Sequence, residues 1–204
     1  MREQFKIRRK TQIAIYGTGS TRLAIAFANY FASYLKKKVA LGEVGEGNLS
    51  DMSKEDVKSK LTVSEDKSLV GFRRMKVDYY PYINEESVKV LESEPYDVII
   101  WDYKNISHGY MSSFKQCDRR LFLCNIAKYN RRSFCRIKYV FENDIVNVEV
   151  YSYLLNKKDK KWYRNTMGRS KVLSDVRELR LIEDPDKLTH SDIIFLSNLA
   201  AANF

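Results

Sequence analysis

An apolar run that passes at once through a glycine turn into an alanine-rich segment constrains this chain more than any other feature. Ile13, Ala14, Ile15 and Tyr16 read as a strand, enter Gly17-Thr18-Gly19-Ser20-Thr21-Arg22, and lead into Leu23, Ala26, Phe27, Tyr30, Phe31 and Tyr34 at spacings of three and four. That spacing predicts a helix over residues 21–37, with alanines that let it pack closely on a sheet. Lys36-Lys37-Lys38 closes it, where cations interact favourably with the exposed carbonyl end. A second apolar run, Val39-Ala40-Leu41, ends in Gly42-Glu43-Val44-Gly45-Glu46-Gly47-Asn48. Strand, glycine turn, helix, strand and acidic tip is the order in which nucleotide-binding α/β folds open. The turn, however, lacks the lysine of an ordinary phosphate loop.

The same alternation continues along the chain. Residues 50–67 are polar and charged, with Ser53-Lys54-Glu55-Asp56 able to cap a helix. Residues 77–83 suit a strand, which Pro81 restricts to a sheet edge or a strand end. Asn84-Glu85-Glu86 starts a helix that stops before Pro95. Val98-Ile99-Ile100-Trp101 is continuous apolar sequence ending in Asp102, as for a strand buried on both faces with an acid at its tip. Further strands are predicted at 121–126, 146–155 and 179–182, and helices at 110–117, 128–142, 157–173 and 188–199, the last capped by Thr189. Strands alternating with helices imply a three-layer, doubly wound α/β fold with a mainly parallel sheet and helices on both faces.

The length of 204 residues, 44% hydrophobic, is enough for one domain over residues 1–204 with a proper core. Lys and Arg number 36 against 26 Asp and Glu, a formal net charge of +10 that favours contact with nucleic acid, anionic lipid or an acidic partner. Cys117, Cys124 and Cys135 form no C-x-x-C pair and read as reduced, mostly buried thiols. No run reaches the roughly 20 apolar residues of a membrane helix, and Met1-Arg2-Glu3-Gln4 lacks the apolar core of a signal peptide, so a cytoplasmic location is expected.

Four segments carry a family resemblance. Residues 13–32, Lys38-Val39-Ala40-Leu41-Gly42-Glu43-Val44-Gly45-Glu46-Gly47-Asn48-Leu49-Ser50, Tyr96-Asp97-Val98-Ile99-Ile100-Trp101-Asp102, and Cys117-Asp118-Arg119-Arg120-Leu121-Phe122-Leu123-Cys124 resemble, in order, the phosphate loop with its helix, the second strand, the Walker B strand and the strand after it in the ParA/MinD class of deviant P-loop ATPases. The resemblance implies a P-loop NTPase-like fold, ATP or ADP with magnesium as ligand, protein partners, nucleotide-linked homodimerisation and, in some members, non-specific DNA binding. It also implies roles. Gly17, Thr18, Gly19, Ser20, Thr21 and Arg22 would surround phosphate, Glu43 would stand at the first acid of the second strand, and Asp102 would serve the metal.

The departures are equally informative. With Gly17 on the first glycine of the K-G-G-x-G-K-[ST] loop, Tyr16 stands at the family-specific lysine, Thr21 at the second lysine and Arg22 at the magnesium-binding hydroxyl. Gly45 falls where a second acid would help to place attacking water. Both lysines that neutralise developing phosphate charge are missing. The turn therefore reads either as an anion cradle or as a tight strand-to-helix connection. Asp102 reads as a metal ligand, a loop cap or an ion-pair partner of Arg22, and Arg22 as a phosphate clamp or that partner. His108 and His190 read as surface residues, and Arg119-Arg120, Arg131-Arg132 and Lys157-Lys158 with Lys160-Lys161 as solvated faces interleaved with Tyr129, Tyr139, Tyr151, Tyr153, Trp162 and Tyr163, a pattern that admits nucleic acid. Three functions follow: a pseudo-ATPase acting as a scaffold or localisation partner, a weak ATP-binding dimerisation switch, and a Rossmann-type dinucleotide binder using Gly17, Gly19 and Glu43.

Overall fold

Among the described residues, seven strands of the sheet run parallel, and an antiparallel hairpin extends one side. The structure, a computed structural model, describes residues 10–45, 47, 49, 52, 60–63, 69–106, 108–153, 155–167 and 170–201. The strands are β1 (Thr11–Gly17), β2 (Val39–Val44), β3 (Lys60–Val63), β4 (Leu69–Arg74), β5 (Val77–Ile83), β6 (Val98–Tyr103), β7 (Arg119–Cys124), β8 (Glu149–Ser152) and β9 (Arg177–Glu178), in the spatial order β3-β4-β5-β2-β6-β1-β7-β8-β9. The helices are α1 (Ser20–Asn29), α2 (Glu85–Ser93), α3 (His108–Gln116), α4 (Arg131–Asn143), α5 (Lys157–Met167) and α6 (His190–Ala201).

Alternation along the strands divides the core in two. On β1, Ile13 and Ile15 face one apolar cluster with Leu41, Ile100 and Leu121, covered by Leu23 and Phe27 of α1 and Leu196 and Leu199 of α6. Ala14 faces the other with Trp101 and Phe122, covered by Val88 and Leu91 of α2, Met111 and Phe114 of α3, Phe134 and Phe141 of α4, and Tyr163 and Met167 of α5. Two covered faces explain why β1 and β6 are apolar without interruption. The expected three-layer doubly wound arrangement is therefore present.

The strand order departs from that of Rossmann dinucleotide-binding folds. In the Rossmann arrangement the first two strands are neighbours. Here β6 lies between β1 and β2, pairing with both in parallel.

Several boundaries differ from expectation for local reasons. α1 ends at Asn29 and runs on as a π-helical turn, Tyr30–Tyr34, closed by the Leu35 N–H donating to the Tyr30 carbonyl at 3.3 Å. Lys36 then turns left-handed at φ 53° while its ammonium donates to the Ser33 carbonyl. β5 is internal, so Pro81 marks a strand end: pairing to β4 stops at Tyr79, and Pro81 falls where the β2 register shifts between Gly42 and Val44. The strand expected at 179–182 is only Arg177–Glu178, with Leu179 and Ile182 buried beyond it. β8 and α5 are shorter than predicted, and α4 is preceded by a 3-10 turn, Lys128–Asn130. The hairpin β3–β4 was not anticipated. The proposed cap at residues 53–56 lies outside the described residues. Thr189 does cap α6, its Oγ1 accepting from the Asp192 N–H at 3.3 Å while its own N–H donates to Asp192 Oδ2 at 3.0 Å.

Candidate functional site

β1 delivers the glycine turn to the carboxyl edge of the sheet, where ligands of open α/β folds bind. Gly17 has φ 113°, and a Cβ there would lie 2.0 Å from the Leu123 carbonyl oxygen, so no other residue fits without shifting β7. The Thr18 N–H donates to that same carbonyl at 2.9 Å, tying the turn to β7. Gly19, left-handed at φ 77°, is the N-cap of α1; it brings no side-chain cap, and the first turn of α1 holds no acid. The positive end of the α1 dipole is thus left without a carboxylate.

Residues 16–21 line a cavity of about 590 Å³ together with Tyr103, Lys104, Phe122, Leu123 and Cys124 of the strand ends and Asn125, Asn130, Ser133, Phe134 and Ile137 of the far wall. That volume is ordinary for a small-molecule site. The structure brings Gly17, Thr18, Gly19, Ser20 and Thr21 together there. Arg22, Glu43 and Asp102 are not part of the lining. Tyr16, at the place of the family-specific lysine, packs as a core aromatic, stacked on Phe122 at 5.8 Å and edge-on to Phe141 at 6.5 Å; burial pushes its phenol pKa up.

The residue that organises the site is Lys104, which sequence reasoning passed over. Its ammonium lies 2.5 Å from Asp102 Oδ2 and 3.3 Å from Glu43 Oε1, and donates to Thr21 Oγ1. Both acids are fully buried, whereas the Lys104 side chain is 20% exposed. Glu43 and Asp102 are register partners across β2 and β6, which sets two carboxylates side by side. Lys104 follows Asp102 by two positions, so strand periodicity turns it to the same face, the one covered by α1, and Thr21 on α1 completes the cage. The readable signal was this i, i+2 placement of an acid and a base at a strand tip.

Gly47 and Leu49, beyond β2, lie against the cluster. The Leu49 N–H donates to Glu43 Oε2 at 3.0 Å, and a Cβ on Gly47 would lie 2.1 Å from Glu43 Oε1 and 2.5 Å from Lys104 Cε. Burial raises the Glu43 pKa; the Leu49 N–H and Lys104 oppose this, and Asp102 adds to it. Asp102 Oδ1 has no hydrogen-bond partner among the described residues. Asp102 pairs with Lys104 rather than with Arg22, which is exposed near Tyr153.

In P-loop ATPases the loop hydroxyl and the Walker B acid hold magnesium. Here Arg22 stands in place of that hydroxyl, and Oδ2 of Asp102, with the neighbouring hydroxyl of Thr21, faces an ammonium. A divalent ion about 4 Å from that charge would be repelled by about 8 kcal/mol at an effective dielectric of about 20. The orphaned Asp102 Oδ1 offers one oxygen, and among the described residues no three His, Cys, Asp or Glu side chains converge on a metal position. As arranged, the donor set does not fit a divalent ion.

Elsewhere, Arg119 is not a solvated residue: it is 5% exposed, forms a two-point pair with Glu149 at 2.8 Å, and donates to the Leu199 carbonyl. Arg131 stacks over Trp162 at 4.5 Å and pairs with Asp159. Lys157, Lys158, Lys161, Tyr129 and Tyr139 are exposed, as is His190; the His108 side chain lies outside the described residues. Cys117 and Cys124 are buried free thiols, burial pushing Cys124 up to about 12, and Cys135 is half-buried.

Scans against protein-family models and curated proteins give no match. Solved structures do match over almost the whole chain. A plasmid partition protein from Borrelia burgdorferi bound to AMPPNP aligns over 94% of this chain and 97% of its own at 13% identity, TM-score 0.62. A chain of the MinC:MinD cell division protein complex of Aquifex aeolicus aligns over 91% and 76% at 22% identity, TM-score 0.53. A ParA family ATPase from Chlorobium tepidum aligns over 96% and 93% at 17% identity, TM-score 0.55. Together with the strand order and the glycine turn between β1 and α1, these likenesses show that the chain has the fold of the ParA/MinD class of P-loop ATPases.

Proposed function

We propose that this chain is a non-hydrolysing protein of the ParA/MinD-like fold that works through protein contacts, as a scaffold or localisation partner. The observation that carries the reading is the Lys104 cage. The acid that would serve a catalytic metal is engaged with an internal cation, Arg22 stands at the place of the metal-binding hydroxyl, neither loop lysine is present, and the place of the water-positioning acid is taken by Gly45. Hydrolysis needs charge stabilisation that grows toward the transition state and a positioned water. The cage is satisfied before any substrate arrives. Purified protein with ATP and magnesium is expected to release phosphate no faster than the background of the preparation, with Asp102→Ala indistinguishable from the unsubstituted chain. Turnover well above background that Asp102→Ala abolishes would sink the proposal.

The cavity beside the turn, with the AMPPNP bound to the Borrelia protein, supports a second reading, a dimerisation switch that binds ATP without efficient turnover. Light scattering with and without ATP separates the two: a mass that doubles with ATP favours the switch, and an unchanged mass favours the scaffold.

A further inference from the structure

We infer that Lys104 is a resident cation that replaces both the loop lysine and the metal of this fold, so that the cavity beside the glycine turn receives the phosphate end of a nucleotide without magnesium. This rests on the ParA/MinD-like reading above and adds to it the ligand's charge and its independence of metal.

The position of the ammonium is the first argument. Lys104 donates to Thr21 Oγ1, and Thr21 stands where the resembling family carries its phosphate lysine. A short side chain at that position leaves space, and a long one from the tip of β6 fills it, so a positive charge returns to nearly the same place from another element.

The cavity wall is the second. Among the described residues, Lys104 is the only charged side chain in the lining; Asp102 and Glu43 lie behind it, fully buried. A ligand entering the cavity therefore meets the ammonium and the uncapped start of α1, both of which favour an anion. Two of the three ammonium hydrogens serve Asp102 and Thr21, and Glu43 at 3.3 Å is the looser partner. A phosphate oxygen can compete for that third hydrogen. Asn125, Asn130 and Ser133 with Phe134 and Ile137 supply the mixed polar and apolar wall that a sugar and a base need.

The third is the exclusion of a divalent ion: of its two customary ligands, the acid Asp102 is already bonded to the ammonium and the place of the hydroxyl is taken by Arg22. In kinases and ATPases that ion bridges phosphate oxygens. Here the bridge is a side chain.

Calorimetric titration of the full chain with ATP, once in EDTA and once in millimolar magnesium, tests this directly. The dissociation constants are expected to agree within about twofold, and adenosine and inorganic triphosphate should each bind at least about tenfold more weakly than ATP. Lys104→Met should weaken ATP binding in EDTA at least about tenfold, the scale of one charge-assisted hydrogen bond, whereas Lys104→Arg should retain most of it. Manganese alone should leave the melting temperature of the unsubstituted chain unchanged and raise that of Lys104→Met, whose two acids regain room for a metal. ATP binding that requires magnesium, or none in either buffer, overturns the inference, as does unaltered affinity in Lys104→Met. Triphosphate binding as tightly as ATP overturns its nucleotide part. If Lys104→Met does not fold, the EDTA and magnesium titrations of the unsubstituted chain still decide. No arm reads turnover, so absent binding without turnover leaves the non-hydrolysing proposal standing, and metal-free binding with turnover removes that proposal alone.

Discussion

Replacing Gly17 by alanine is expected to cost at least about 2 kcal/mol of stability, because the new Cβ would collide with the Leu123 carbonyl in a backbone conformation that L side chains avoid; the midpoint of urea denaturation measures it. Lys104→Met should cost about 3–5 kcal/mol near neutral pH, since it leaves two buried carboxylates side by side without their cation. The loss should shrink as pH falls into the range where Glu43, with its raised pKa, takes up a proton. Glu43 has a raised pKa in the folded chain, so the folded state holds its proton more tightly and stability falls as pH rises from the ordinary carboxylate value through the folded one. Removing Lys104 raises that pKa further and widens the window. Urea melts of the variant at acid and alkaline pH read both effects. At this scale the sequence was half legible. Asp102 announced itself as an acid closing an apolar run, and Gly17 as a glycine closing another. The pairing of Lys104 with Asp102 two positions before it was readable, but its contact with Thr21 depends on which turn of α1 lies over the tip of β6, and no local pattern records that.

Among the elements, β7 and β8 are joined by more than their ladder. Arg119 and Glu149 form a two-point pair near the amino ends of these strands, reinforced by the Tyr151 hydroxyl donating to Glu149. Burial raises the Glu149 pKa, but the bonds and charge of Arg119, the Tyr151 bond and the charge of Arg177 outweigh it, and the net shift is downward. Its contribution is therefore complete above the ordinary carboxylate value and is lost as pH falls through the lowered folded one. Glu149→Gln should lower stability near neutral pH by about 3 kcal/mol, by leaving Arg119 buried without its partner, and flatten the acid limb of a stability-versus-pH curve measured by urea denaturation. Strands buried on both faces were readable as apolar runs, as β6 and β7 show. The hairpin β3–β4 was not, because Gly71, Arg73 and Arg74 interrupt any alternation; Gly71 is needed where β4 passes Tyr79 and Tyr80, a Cβ there lying 2.4 Å from the Tyr79 carbonyl oxygen. Pro81 read as the mark of an edge or a strand end, and it falls at a register shift near the end of an internal strand.

Across the whole molecule, the layer order was legible because it follows from alternation of apolar strands and amphipathic helices, whereas the interposition of β6 between β1 and β2 is a topological fact with no sequence signature. Net charge is also a property of the whole. With +10 spread over the chain and Lys157, Lys158 and Lys161 exposed on α5, duplex DNA of arbitrary sequence should bind weakly, losing at least about tenfold in affinity between about 50 and 200 mM salt. Lys157→Glu with Lys161→Glu should weaken that binding without moving the melting temperature, as read by fluorescence anisotropy and a thermal melt. A salt-insensitive or absent signal would exclude the contact. The cation at the tip of β6 is written into the polypeptide and replenished by translation alone, so the charge it brings to this site does not vary with a cell's supply of magnesium or manganese.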